Sequence, residues 1–153
     1  MPQQNLKWDE KYSLGIDNID EQHKHLFDIV SKIYSLQESK DVKNNIKAIL
    51  LELFDYIKVH FKDEEKFMAS IHYPDIAHHH ELHQQLSKAV STILTDPSRL
   101  DVIQTKMRII AKQALIDHIL DEDVKFQQYY FEILKKQKSS DQKSDETIIE
   151  LNV

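Results

Sequence analysis

Residues 46–68 read IKAILLELFDYIKVHFKDEEKFM, the clearest amphipathic pattern in the chain. The apolar side chains follow one another at steps of three and four residues: Ile46, Ile49, Leu50, Leu53, Phe54, Ile57, Phe61, Phe67 and Met68. Such steps place side chains on one face of an α-helix, which has about 3.6 residues per turn. The pattern predicts a helix over about 41–68 that buries this face in a protein core.

Three other segments carry the same apolar spacing and predict helices over about 20–37, 75–94 and 98–136. Pro74 and Pro97 lie at the breaks, where proline disfavours helix in the preceding residue. The chain has one Gly and three Pro, which is little material for the tight turns of a β-fold. Four amphipathic helices with short connections predict an all-α fold, an antiparallel up-down four-helix bundle.

The two ends of the chain lack the helical apolar spacing. Residues 1–17 predict an extended N-terminal arm, and residues 137–153 are mostly polar and predict a mobile C-terminal tail. The expected organisation is one bundle domain over 1–136, followed by the tail over 137–153.

The composition excludes several classes of function. The chain has 26 acidic and 20 basic residues, so its net charge of −6 argues against a nucleic-acid binder. It has no cysteine, which excludes disulfides, thiolate metal sites and cysteine nucleophiles. Neither a signal peptide nor a membrane-spanning segment is evident in the sequence. We therefore expect a cytoplasmic protein that binds neither nucleic acid nor a membrane.

Histidines interrupt the apolar stripes of all four predicted helices. Of the nine histidines in the chain, five take core-facing positions: His23, His60, His79, His83 and His118. Glu64 lies one turn after His60 on the same helix face. His25, His72, His78 and His80 fall outside the stripes, and we expect them at the surface or rim of the bundle.

One inward histidine is usually a hydrogen-bonded core residue. Five of them with a carboxylate would be costly to bury, because each unpaired polar group costs a few kcal/mol. A shared cation would satisfy all of them at once. Imidazole and carboxylate without sulfur suit iron, zinc, copper or nickel, and five imidazoles exceed what one tetrahedral zinc with an open position can bind. The pattern therefore predicts a dinuclear metal site.

Short motifs follow one another in a fixed order between residues 8 and 130. They are Trp8-Asp9; Ile19-Asp20-Glu21-Gln22-His23-Lys24; His60-Phe61-Lys62-Asp63-Glu64-Glu65 with Met68; Tyr73-Pro74; His79 and His83; and His118-Ile119 with Asp123. This series resembles the hemerythrin family, in particular its single-domain bacterial members.

The resemblance implies a four-helix bundle with two iron ions as cofactor. His79, His83 and His118 would bind one iron, and His23 and His60 would bind the other, which keeps one open position. Glu64, Asp123 and a hydroxide or oxide would bridge the two ions. Dioxygen would bind at the open iron as hydroperoxide, and small anions such as azide would inhibit. Helical spacing alone selects Glu122, four residues after His118, whereas the family pattern selects Asp123.

One position departs from the family pattern. Relatives commonly carry a tryptophan four residues before the fourth-helix histidine, where this chain has Ala114. The resemblance implies that Ala114, Leu115 and Ile119 line the oxygen pocket. A methyl group in place of an indole ring predicts a more open pocket or a tunnel, unless Phe27, Phe61 or another aromatic residue fills the space.

Three functions are compatible with such a site. The first is reversible dioxygen binding for storage, delivery or sensing, and the second is a di-iron enzyme or stress protein acting on peroxide, nitric oxide or damaged iron centres. The third is a metal-dependent signalling module. Carboxylate-rich di-iron bundles use a Glu-x-x-His motif, and this chain has none. The histidine-rich site favours dioxygen binding over enzymatic activity.

Overall fold

The computed structural model describes the backbone of residues 6–151 and the side chains of residues 6–140. A single turn of 3-10 helix, Glu10–Tyr12, precedes α1 (Asp17–Ser35), α2 (Val42–Ser70), α3 (Ile76–Leu94) and α4 (Leu100–Ala111). A π-helical segment, Lys112–Asp123, continues from α4 and leads directly into α5 (Val124–Leu151). The described residues contain no strand, which confirms the all-α prediction.

The helices form a bundle with a closed ring of neighbours. α1 packs against α2 and α4, and α3 also packs against α2 and α4. The predicted core faces are the buried faces: Leu50, Leu53 and Ile57 of α2 are each at most 5% exposed. That neighbouring helices run antiparallel, in up-down order, stays a prediction.

The fourth predicted helix begins where expected but ends later. Its backbone runs without a break from Leu100 through the π-helical segment to Leu151, whereas the apolar spacing predicts an end near residue 136. The physical reason is that residues 98–153 contain neither glycine nor proline, so no residue stops the helix. The mobility of residues 137–153 and the division of the chain at residue 136 stay predictions. Between residues 6 and 151, no helix is both long and apolar enough to cross a membrane.

The segment before α1 is not extended throughout, since it contains the 3-10 turn. Tyr12 and Leu14 are buried in the core, and the Leu14 carbonyl accepts a hydrogen bond of 2.9 Å from Gln127 Nε2. Asp20, in the first turn of α1, accepts hydrogen bonds from the Leu14 backbone N–H at 2.8 Å and from the Ser13 hydroxyl at 2.5 Å. These bonds attach the segment to the bundle.

Asp20→Ala is expected to destabilise the protein by about 1–3 kcal/mol, because it leaves the buried Leu14 N–H without an acceptor. Urea unfolding followed by circular dichroism measures the change. Asp17→Ala is the matched control, since Asp17 is exposed in the same helical turn. Equal losses of unfolding free energy in the two variants would contradict the role of Asp20.

Candidate metal centre

All seven residues predicted as metal ligands are buried in the middle of the bundle. α1 contributes His23, α2 contributes His60 and Glu64, α3 contributes His79 and His83, and the π-helical segment contributes His118 and Asp123. The histidines are at most 6% exposed, and the two carboxylates are completely buried. The structure thus brings together side chains that the sequence separates by as much as one hundred positions.

The two oxygens of Glu64 face different histidines. Oε1 lies 2.9 Å from His23 Nε2 and 3.0 Å from His60 Nε2. Oε2 lies 3.1 Å from His83 Nε2 and 3.5 Å from His79 Nε2. The carboxylate therefore lies between a pair of histidines from α1 and α2 and a pair from α3.

Asp123, in the π-helical segment, likewise directs its two oxygens to different histidines. Its Oδ2 lies 3.2 Å from His23 Nε2. Its Oδ1 lies 3.0 Å from both His79 Nε2 and His118 Nε2. The two carboxylates thus separate the imidazoles into a set of two, His23 and His60, and a set of three, His79, His83 and His118.

The side-chain chemistry of this cluster fits metal ions. Two groups have ligand atoms within 4.8 Å of one another: Glu64, His79, His83, His118 and Asp123; and His23, His60 and Glu64. His118 Nε2 lies 3.1 Å from His79 Nε2 and 3.2 Å from His83 Nε2. Both oxygens of Asp123 and Oε2 of Glu64 are buried without a well-aligned hydrogen bond. Since buried polar atoms are normally satisfied, these atoms fit a site that holds cations.

The carboxylates are held in the anionic form that binds metals. Burial alone would raise the pKa of Glu64, but the electrostatic interaction with His60 and the hydrogen bonds from neighbouring imidazoles lower it well below its usual value. Burial and the negative charge of Glu64 would raise the pKa of Asp123. The electrostatic interaction with His118 and the hydrogen bonds from His118 and His23 outweigh both effects, so the pKa of Asp123 is also lowered. Two negative charges in a buried site favour a bound cation.

The imidazoles respond to these charges in different ways. Burial lowers the pKa of His23, but hydrogen bonds to Asp123 and Glu64 outweigh burial and raise it to about 9. The same balance raises the pKa of His79 to about 9. For His83 burial dominates, and its pKa is lowered.

The π-helical segment explains why Asp123 reaches the cluster. In a π-helix the backbone hydrogen bonds join residues five positions apart, so a residue at i+5 lies about one turn further along. Asp123 therefore shares the face of His118. Glu122, which α-helical spacing selects, instead accepts a hydrogen bond of 3.2 Å from Lys125. The selection of Glu122 by helical spacing is wrong, because that spacing assumes an α-helix.

The four remaining histidines lie outside the cluster. His25, His72, His78 and His80 are exposed, which confirms their predicted surface or rim positions. His25 packs its ring against Tyr56 with centroids 4.5 Å apart.

A small apolar cavity of about 20 Å³ adjoins the cluster. Its wall includes His23, His60, His118 and the three residues predicted to line an oxygen pocket, Ala114, Leu115 and Ile119. Further lining residues, which the sequence pattern does not distinguish as pocket residues, are Leu26, Val30, Leu53, Ile57, Leu86, Val90, Met107, Ile110 and Ala111. All come from the predicted core stripes or their immediate neighbours, so spacing alone does not separate pocket residues from ordinary core.

Two aromatic residues were candidates to fill the space beside Ala114. Phe61 does line the cavity and stacks on His83, with ring centroids 3.9 Å apart and an interplanar angle of 4°. Phe27 packs elsewhere, against Trp8 and Tyr12. Ala114 is half-buried, as are Leu86 and Ile110, so the cavity wall reaches the surface between α3 and the fourth helix.

Comparisons with known proteins agree with this geometry. A sequence model of the hemerythrin HHE cation binding domain matches residues 14–130. The chain is 32% identical over 133 residues to the bacteriohemerythrin of Campylobacter jejuni, which covers 86% of this chain and 100% of that protein. It is 32% identical over 123 residues to the bacteriohemerythrin of Clostridium acetobutylicum, covering 76% of this chain and 94% of that protein. A hemerythrin-like protein of Naegleria gruberi is 28% identical over 121 residues, covering 79% and 90% respectively. Since the family match spans most of the chain and includes all seven clustered side chains, the protein belongs to the hemerythrin family.

Proposed function

We propose that this protein binds two iron ions in the candidate metal centre and, through them, binds dioxygen reversibly. The observation that carries the proposal is the division of the imidazoles by Glu64 and Asp123, each of which directs one oxygen to either set. Two ions bridged by both carboxylates would satisfy this arrangement. His79, His83 and His118 would bind one ion, and His23 and His60 the other.

The two ions would differ in their number of protein ligands. Five residues, His79, His83, His118, Glu64 and Asp123, would hold one ion, and His23, His60, Glu64 and Asp123 would hold the other. The second ion, with one protein ligand fewer, would keep a position for an exogenous ligand. His23 and His60 both line the apolar cavity, so this position faces a space suited to a small apolar gas. When bound, the iron pair supplies reversible electron transfer with dioxygen.

The cavity wall would protect the bound gas from water. Apolar side chains from α1, α2, α3 and α4 line it, and a dry shell around a metal site limits solvent access. Ala114, Leu115 and Ile119 supply the wall on the side of the π-helical segment. Small anions such as azide would compete with dioxygen for the same position. The protein would thus act as a binding protein, for storage, delivery or sensing in the cytoplasm, and not as an enzyme.

Purified protein is expected to contain about two iron ions per chain, because seven imidazole and carboxylate ligands exceed the needs of one ion. Metal analysis after aerobic expression with iron measures the ratio. The optical spectrum of the reduced protein, recorded on adding oxygen and again after removing it, tests the binding of dioxygen. A single zinc ion per chain, or an optical spectrum that does not change when oxygen is added, would contradict the proposal.

A further inference from the structure

A chain of hydrogen bonds leads from the outer nitrogen of His60 to the flank of the bundle. His60 Nδ1 lies 2.7 Å from Gln22 Oε1. Gln22 Nε2 in turn donates a hydrogen bond of 2.7 Å to Asp63 Oδ2. Gln22 belongs to α1, whereas His60 and Asp63 belong to α2, so the chain joins two helices behind the metal centre.

Asp63 determines the direction of each hydrogen bond in this chain. An ionised carboxylate can only accept, so the amide group of Gln22 must direct its N–H toward Asp63. The carbonyl oxygen of Gln22 then faces His60, and a carbonyl oxygen also can only accept. When His60 binds a metal ion as a neutral imidazole, its proton therefore lies on Nδ1, which leaves the lone pair on Nε2 for the ion. His60 Nε2 is the nitrogen that faces Glu64, at 3.0 Å.

We propose that Asp63, acting through Gln22, is a positioning residue that holds His60 with its proton on Nδ1 and its Nε2 lone pair toward the metal centre. This role rests on the proposed function only in that His60 binds a metal ion. Without the carboxylate, the Gln22 amide group can rotate and offer its N–H to Nδ1. The imidazole proton would then move to Nε2, where it blocks metal binding.

His60 differs in this respect from other imidazoles of the cluster. The Nδ1 atoms of His23 and His83 are buried without a hydrogen-bond partner. Glu65 Oε1 lies 4.0 Å from His83 Nδ1, beyond hydrogen-bond distance, and contacts the exposed His80 instead. His23 and His60 are both proposed to bind the ion with the vacant position, but only His60 has a hydrogen-bond partner at Nδ1. Gln22 provides that partner, and Asp63 orients Gln22.

The release of zinc to a chelator measures this positioning role. Zinc binds imidazole and carboxylate ligands and has no redox chemistry, so the experiment does not depend on dioxygen. Partners of this kind change metal affinity by roughly 10–100-fold, so zinc release from Gln22→Leu is expected to be faster by about that factor. Asp63→Asn, which still permits the productive orientation, should release zinc at an intermediate rate. Gln85→Leu and Asp55→Asn are matched controls at exposed positions and should release zinc at the wild-type rate.

A reciprocal double variant separates positioning from a merely structural role. In Gln22→Glu with Asp63→Asn, the new carboxylate can only accept, from His60 Nδ1 and from the new amide group, so the hydrogen-bond direction at His60 is restored. Zinc release should then be slower than in Asp63→Asn alone. A structural role predicts that the second substitution adds to the damage, so a double variant that releases zinc faster than Asp63→Asn overturns the proposal.

Two other results would overturn the role of Gln22 and Asp63. One is zinc release from Gln22→Leu at the rate of Gln85→Leu, with both variants folded by circular dichroism. The other is wild-type protein that binds no zinc and no iron, which would overturn the proposed metal centre together with this inference. Zinc that binds tightly in every variant leaves the metal centre intact and rejects only the positioning role.

Discussion

Glu64→Ala is expected to lower the metal content from about two ions per chain to at most one weakly bound ion, because this carboxylate belongs to both ligand groups and its loss leaves neither complete. In this variant each proposed ion would lose one carboxylate oxygen ligand. His60→Ala, by contrast, leaves the five-residue group of Glu64, His79, His83, His118 and Asp123 complete. We expect this variant to lose the paired site but to retain up to one ion per chain.

Loss of the ions should also lower thermal stability. Free metal at about one hundred times its dissociation constant contributes about 2.7 kcal/mol per ion. In a domain of this size that energy corresponds to roughly 5–10 °C in the unfolding midpoint. Metal analysis and thermal unfolding of metal-loaded protein measure the two effects together.

Exposed residues provide the controls for these variants. Glu81→Ala and His25→Ala should retain full metal content, since both side chains point to solvent. Loss of iron from His25→Ala as complete as that from His23→Ala would mean that the assigned facing of α1 is wrong. Retention of two ions by Glu64→Ala would contradict its bridging role.

Ala114→Trp is expected to prolong the oxygenated state by an amount on the order of tenfold, the lower end of the effects of residues around a metal site. Ala114 lines the cavity and is half-buried, so its methyl group leaves the wall thin between α3 and the π-helical segment. An indole ring there would cover the open ion and slow the arrival of water and of azide. The decay of the oxygen-dependent absorption band, followed in both proteins, measures the difference.

The control for Ala114→Trp must distinguish coverage of the metal site by the indole ring from damage to the protein core. Ala48→Trp places the same ring at an exposed position of α2 and should leave the decay rate unchanged. Iron content and the unfolding midpoint show whether the indole ring overpacks the core. A well-folded, iron-loaded Ala114→Trp protein that decays at the wild-type rate would show that Phe61 or another side chain already closes the cavity.

Periodicity alone predicts most of the fold and much of the site. Apolar steps of three and four residues give all four helical segments, and the same steps place five imidazoles and Glu64 in the core. Both results follow from the regular geometry of the α-helix, which fixes the face of every side chain once the helix is known.

The features that spacing does not predict are those where the backbone departs from the α-helix. The 3-10 turn at Glu10–Tyr12 lies in a segment without apolar periodicity. The π-helical segment shifts the inward face by one residue, and therefore Asp123 and not Glu122 joins the cluster. Nothing in the composition of residues 112–123 identifies the wider turn. The resemblance to a known family supplies that residue.

The distribution of the ligands along the chain has a consequence for how the protein folds. His23 and Asp123 stand one hundred positions apart in the chain, and the seven ligands are distributed over α1, α2, α3 and the π-helical segment. No hairpin or helix pair contains both ligand sets, so no early fragment can bind the pair of ions. Closing so long a loop costs chain entropy before the metal returns any stabilisation. Metal uptake should therefore be a late event that reports completion of the whole topology, and an unfolding fluctuation in any single helix is a route for iron to leave.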